Sequence, residues 1–80
     1  MIPNGIMRSV KTAKDLGAII RSTRKRLGLT LAECAGANGV GVRFLSELER
    51  GKEGAELGLA LRVAASLGVR IHASHSDEPR

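Results

Sequence analysis

Two short helical patterns that meet at Gly39 constrain this chain more than any other feature: residues 29–51 read LTLAECAGANGVGVRFLSELERG. Thr30 with Glu33 has the form of a capping box, the hydroxyl accepting from an orphan amide and the acid favoured by the positive helix end. This predicts a helix to about Ala37, after which Gly39 breaks the pattern. Leu45 and Leu48 give residues 42–50 an inward face, and Gly51 closes them. Two helices joined this tightly cross at short range, so the first needs a small residue and the turn needs an unusual backbone angle. Ala35 and Gly39 meet those needs, and Val40 supplies an apolar residue to seat the turn.

The flanking segments extend the helical reading in both directions. Pro3, Asn4 and Gly5 form a turn-prone start, and Ile6, Arg8 and Val10 hint at an extended segment. Thr12 with Asp15 repeats the capping box, so a first helix starts there. Leu16, Ile19, Ile20, Thr23 and Leu27 recur at spacings of three and four as its inner face, Arg21, Lys25 and Arg26 project elsewhere, and Gly28 stops it. Leu57, Ala60, Leu61, Ala64 and Leu67 mark the inner face of a fourth helix ending at Gly68. Val69, Arg70, Ile71, His72 and Ala73 then alternate as a short strand, which needs an edge from residues 6–10 or from a second subunit. The expected division is an N-terminal arm over 1–11, a helical domain over 12–68, a strand over 69–73 and a disordered tail over 74–80.

Eighty residues make one domain with a modest core, which favours stabilisation by dimer formation. Thirteen Lys plus Arg against eight Asp plus Glu leave a formal charge of +5, suited to a polyanion such as nucleic acid, with an anionic membrane as the competing surface. Phe44 is the only aromatic residue, so stacking on single-stranded bases has almost no material, and duplex DNA fits better. Cys34 lies at a core-facing position and reads as a buried structural thiol. No apolar run approaches the roughly 20 residues of a membrane span, and the N-terminus lacks signal-peptide blocks, giving a cytoplasmic expectation.

Arg24, Leu29-Thr30, Ala35, Gly39-Val40, Leu45 and Leu48-Glu49-Arg50-Gly51-Lys52 together resemble the Xre family of helix-turn-helix regulators, which includes the phage repressors. The resemblance continues through Leu57, Leu61, Ala64 and Leu67-Gly68-Val69. Within that family, RFLSELERGK followed by ALRVAASLGV is similar to HipB-type antitoxins, which repress their own operon and hold a HipA-like kinase toxin. The resemblance implies an all-α, lambda-repressor-like bundle of four to five helices, with C-terminal strands pairing across a homodimer. It also implies binding to an inverted-repeat operator in double-stranded DNA. Gly41, Val42, Arg43, Ser46 and Glu47 match exposed recognition-helix positions, and Thr30, Leu31, Arg43 and Lys52 match positions that meet phosphates.

Arg43 fits either guanine O6 and N7 or a phosphate, and Glu47 could accept from cytosine N4. Three positions depart from the family pattern. Leu31 replaces a common glutamine, Gly41 replaces the usual Ser or Thr N-cap, and Asn38 stands at a position usually apolar. Arg24 and Glu49 match a family pair tying the first helix to the end of the recognition helix.

Other chemistries find little support. Phe44 beside Leu45 and Leu48 suits packing better than a wedge into DNA. His72 and His75 lack companion ligands for zinc, and Gly39-Val40-Gly41 lacks the Lys-Ser/Thr ending of a nucleotide loop. No catalytic residues, cofactor or metal are expected, and the chain reads as a non-enzyme. The leading expectation is an autorepressing antitoxin; the alternatives are a protein-binding antitoxin or adaptor that keeps the fold as scaffold, and a phage-type repressor without a toxin.

Overall fold

The computed structural model describes residues 7–76, which form four helices: α1 (Ala13–Arg26), α2 (Leu31–Asn38), α3 (Val42–Glu49) and α4 (Leu57–Ser66). Both capping boxes form. Thr12 Oγ1 accepts from the Asp15 amide at 3.0 Å while the Asp15 carboxylate accepts from the Thr12 amide at 3.1 Å. Thr30 and Glu33 make the same reciprocal pair at 3.0 and 2.8 Å. Each box satisfies two of the donors that a helix start leaves without intrahelical partners.

The core draws on every helix. Ile20, Cys34, Ala35, Leu45, Leu48, Ala60, Val63, Ala64 and Leu67 are buried together. Full burial of Ile20, Leu45 and Val63 contributes about 1.5–3 kcal/mol each relative to exposure. Phe44, Val40, Leu29 and Leu31 pack against this cluster from its edge. Phe44 is therefore a packing residue, as its neighbours Leu45 and Leu48 suggest.

Gly17 sets how closely α1 approaches α3. A Cβ at this position would run into the Leu48 carbonyl oxygen and lie 2.8 Å from that of Glu49. Backbone packs on backbone there, a contact no other residue permits without moving a helix. Gly39 is the turn between α2 and α3, at φ 66°, ψ 30°, in the left-handed region that residues with a Cβ rarely adopt.

The short C-terminal strand expected over residues 69–73 is not formed; no strand occurs among the described residues. The Val69 amide instead donates to Ala64 O at 3.0 Å, closing the end of α4, and residues 70–73 run exposed without a ladder. Alternation specifies two faces but supplies no edge to pair with. The other expected edge fares no better. Residues 7–11 are exposed and irregular. The expectations for residues 1–6 and 77–80 lie outside the described residues.

Two inner faces also need correction. Leu27 is 54% exposed, and on α4 Leu57 and Leu61 are 64% and 43% exposed. The inward stripe of α4 is Ala60, Val63, Ala64 and, just past its end, Leu67. Leu57 and Leu61, one turn apart, lie on its open side.

Candidate nucleic-acid interface

α3 is anchored on one side and open on the other. Leu45, Leu48 and Glu49 are buried, whereas Gly41, Val42, Arg43 and Arg50 are exposed and Ser46 and Glu47 are half-buried. Arg43, Glu47 and Arg50 follow at spacings of four and three, so they share one face of the helix. The α1–α3 crossing at Gly17 and the α2–α3 turn at Gly39 fix the direction in which that face points.

A buried ion pair holds the far end of α3. Arg24 Nε lies 2.6 Å from Glu49 Oε2 and Nη2 lies 3.0 Å from Oε1, while Nη1 donates to Leu29 O at 2.7 Å. One guanidinium thereby ties α1 to α3 and to the loop before α2. The hydrogen bonds to Glu49 raise the Arg24 pKa against the opposing effect of burial. Removing one partner of such a pair strands a buried charge, at a cost of about 3–5 kcal/mol.

Glu47 organises the exposed face. Its carboxylate meets Lys52 Nζ at 3.1 Å and Arg43 Nε at 3.4 Å. The hydrogen bond from Lys52, and more weakly that from Arg43, holds the Glu47 carboxyl below the usual carboxylate range. Arg43 is 91% exposed, so it is loosely held and able to swing outward. Both cations expected to meet DNA thus share one acid in the free protein.

The remaining expected contact positions divide by environment. Thr30 is exposed, but its hydroxyl oxygen already accepts the Glu33 amide. Leu31 is half-buried and packs its side chain against the core. Gly41 sits at the N-cap of α3 with φ −76°, ψ 152° and no side-chain bond, so the helix start lacks a polar cap. A glycine N-cap costs only a few tenths of a kcal/mol against a polar one.

Asn38 fits the buried turn through polar partners. Its Nδ2 donates to Cys34 O and to Ser66 Oγ, each at 3.0 Å, while Arg62 donates to the main-chain carbonyl of Asn38 at 2.6 Å. These bonds fasten α4 to the end of α2 where an apolar side chain would otherwise pack. Cys34 is 1% exposed, and burial pushes its thiol pKa up, consistent with a structural thiol.

Sequence reasoning missed Gly17, because a lone glycine inside a helix carries no signature of the backbone packed on it. The exposed α1 cations Lys14, Arg21 and Lys25 line a groove with Arg50 of α3. The spacing of four, three and four along Lys14, Ala18, Arg21 and Lys25 was the available signal. Among the described residues no group of three or more His, Cys, Asp and Glu is arranged to hold a metal ion. No helix there is long and apolar enough to cross a membrane.

Comparison with known proteins bears on this arrangement. No family model matches the chain. It is 44% identical over 64 residues to an uncharacterised HTH-type transcriptional regulator, y4mF, of Sinorhizobium fredii, covering 80% of this chain and 84% of that protein. It is 36% identical over 53 residues to the HTH-type transcriptional regulator DdrOP3 of Deinococcus deserti, covering 66% of this chain but 41% of the relative. Among solved structures, a single-substitution variant of HipB in complex with an O2 20mer aligns with a TM-score of 0.79 at 18% identity, over 90% of this chain and all of that one. HipB in complex with an O4 20mer aligns at 0.77 and 17%, and an MDT protein at 0.78 and 17%, each over 89% of this chain and all of the other. At such identities these structures establish a shared fold.

Proposed function

This chain belongs to the HTH-type transcriptional regulators, and from that membership we propose that it reads double-stranded DNA as a homodimer, with α3 in the major groove of each half of an inverted repeat. The observation that carries this reading is the two-sidedness of α3. Leu45 and Leu48 are fixed in the core while Val42 and Arg43 are exposed and Ser46 and Glu47 are half-buried. In this reading Arg43 reads a guanine edge, Val42, Ser46 and Glu47 lie along the bases, and Thr30 and Lys52 meet the backbone. Gly41 lets the start of α3 come close to the DNA. Leu31 contributes its main chain rather than a polar side chain.

Dimer formation is supported by Leu57 and Leu61, which leave an apolar strip of α4 open. A small domain gains both stability and a second recognition helix by covering it. The HipB–20mer complexes share this fold.

The test is a chemical footprint on the duplex upstream of the chain's own gene. Protection of two major-groove segments about one helical turn apart supports the reading. Protection confined to the minor groove, or none at concentrations that saturate binding, overturns it.

A second reading makes the chain a HipB-like antitoxin that also holds a HipA-like kinase toxin. The polar groups missing at Leu31 and Gly41 favour a role for protein contacts besides DNA. Co-purification with the product of an adjacent kinase-like gene, at defined stoichiometry, tests it; absence of a complex between the two purified proteins rejects it.

A further inference from the structure

The groove bounded by α1, the start of α2 and the end of α3 carries positive charge that the base-reading face does not use. Lys14, Arg21 and Lys25 line it from α1, Arg50 lines it from the end of α3, and Leu31 and Ser46 form its other edges. Arg21, Lys25 and Arg50 are exposed, and among the described residues none of the four cations forms an ion pair with a carboxylate. The acid at the groove, Glu49, is buried and has both oxygens taken by Arg24. Arg43 and Lys52 are in the opposite situation, both drawn to Glu47.

We propose that this groove is a second DNA-backbone site, in which Arg21, Lys25 and Arg50 take phosphates beside the segment read by α3. The proposal rests on the DNA-reading function above and extends it to residues outside the helix-turn-helix pattern. Continuity argues for DNA as the occupant. Arg50 lies on the same face of α3 as Arg43 and Glu47, and Ser46 borders both the reading face and the groove. Ala18 keeps the middle of the α1 stripe low, which allows a close approach. The stripe from Lys14 to Lys25 extends about 16 Å at 1.5 Å per residue, long enough to follow several phosphates of one DNA strand. Because a phosphate contact carries no base information, the groove adds grip without changing sequence preference. It thereby compensates for the side chains that Leu31 and Gly41 do not offer.

The test compares the full chain with an Arg21→Gln, Lys25→Gln, Arg50→Gln triple variant, measured by fluorescence anisotropy over a potassium chloride series. The probes are the duplex upstream of the chain's own gene, a scrambled duplex of equal length and, as a polyanion without nucleotides, poly-glutamate. Both duplex affinities should fall by the same factor, leaving their ratio unchanged. The log–log salt slope should become shallower by about 0.9 for each phosphate that is no longer neutralised. Lys25→Gln alone, at an exposed position, gives the same readout with a decrease of about 0.9 if the triple variant fails to fold. An unchanged slope, with the wild type still preferring the upstream duplex, overturns the groove site and leaves the DNA-reading function standing. Loss of binding to poly-glutamate with an unchanged DNA slope overturns it in favour of an acidic protein partner. A wild type that binds neither duplex overturns both proposals.

Discussion

In the proposed DNA-reading mode, Glu47 is the residue on which affinity and selectivity meet. Its carboxylate holds Lys52 and Arg43 at 3.1 and 3.4 Å, so contact with a phosphate or a base must compete with these ion pairs. The pairs are partly exposed, and exposed pairs contribute little to stability, which makes the exchange energetically feasible. Near phosphates an uncompensated carboxylate is repelled, and only a donor such as cytosine N4 rewards it. On the proposed reading, Glu47 would therefore penalise duplexes that lack the right base. Glu47→Gln should raise affinity for scrambled DNA several-fold and reduce the ratio between cognate and scrambled binding, at a nearly unchanged melting temperature. A lower affinity for scrambled DNA would mean that Glu47 instead positions Arg43 and Lys52 for contact.

At the scale of the elements, the helix starts depend on ionised acids. The Lys11 amide is the leading cause holding the Asp15 carboxyl below the usual carboxylate range, and the Thr30 amide does the same for Glu33. A depressed folded pKa means that the stabilisation is present above the unfolded value and is lost as pH falls through the folded one. The melting temperature should stay level with respect to these groups down to about pH 5 and decline below about pH 4.5, with loss of helical signal. A melting temperature that does not fall between about pH 4.5 and pH 3 would contradict the part assigned to the capping boxes.

The same boxes show what is legible in a sequence. Thr12 with Asp15 and Thr30 with Glu33 are local patterns, and the structure forms them as read. The Arg24–Glu49 pair, 25 residues apart, was legible only through the family pattern. Gly17 was not legible, because its role belongs to the carbonyls of Leu48 and Glu49 lying over it. Spacing placed Leu57 and Leu61 with Ala60 and Ala64, but four-residue periodicity cannot say where a buried stripe ends and an open one begins. The strand over residues 69–73 failed for a related reason: alternation is a property of one segment, whereas a strand is a property of two. Asn38 departs from an apolar pattern because its side-chain amide has partners in Cys34 O and, from α4, Ser66 Oγ, neither of which the local sequence reveals.

The whole molecule presents two surfaces that its core does not use. One is basic and runs from Arg43 past Arg50 into the α1 groove; the other is the apolar strip at Leu57 and Leu61. A net charge of +5 draws the first toward DNA, and a second copy covering the other would give a two-fold reader of an inverted repeat. In this account the field attracts any duplex, while the exposed face of α3 chooses among duplexes. The most direct test is the ratio of affinities for the upstream and scrambled duplexes, measured for the wild type and for Arg43→Ala at one salt concentration. The account predicts a wild-type ratio well above one that falls by about 5- to 100-fold in the variant, as loss of one base-reading side chain entails. A variant that keeps the full wild-type ratio would contradict the claim that α3 reads the DNA through Arg43.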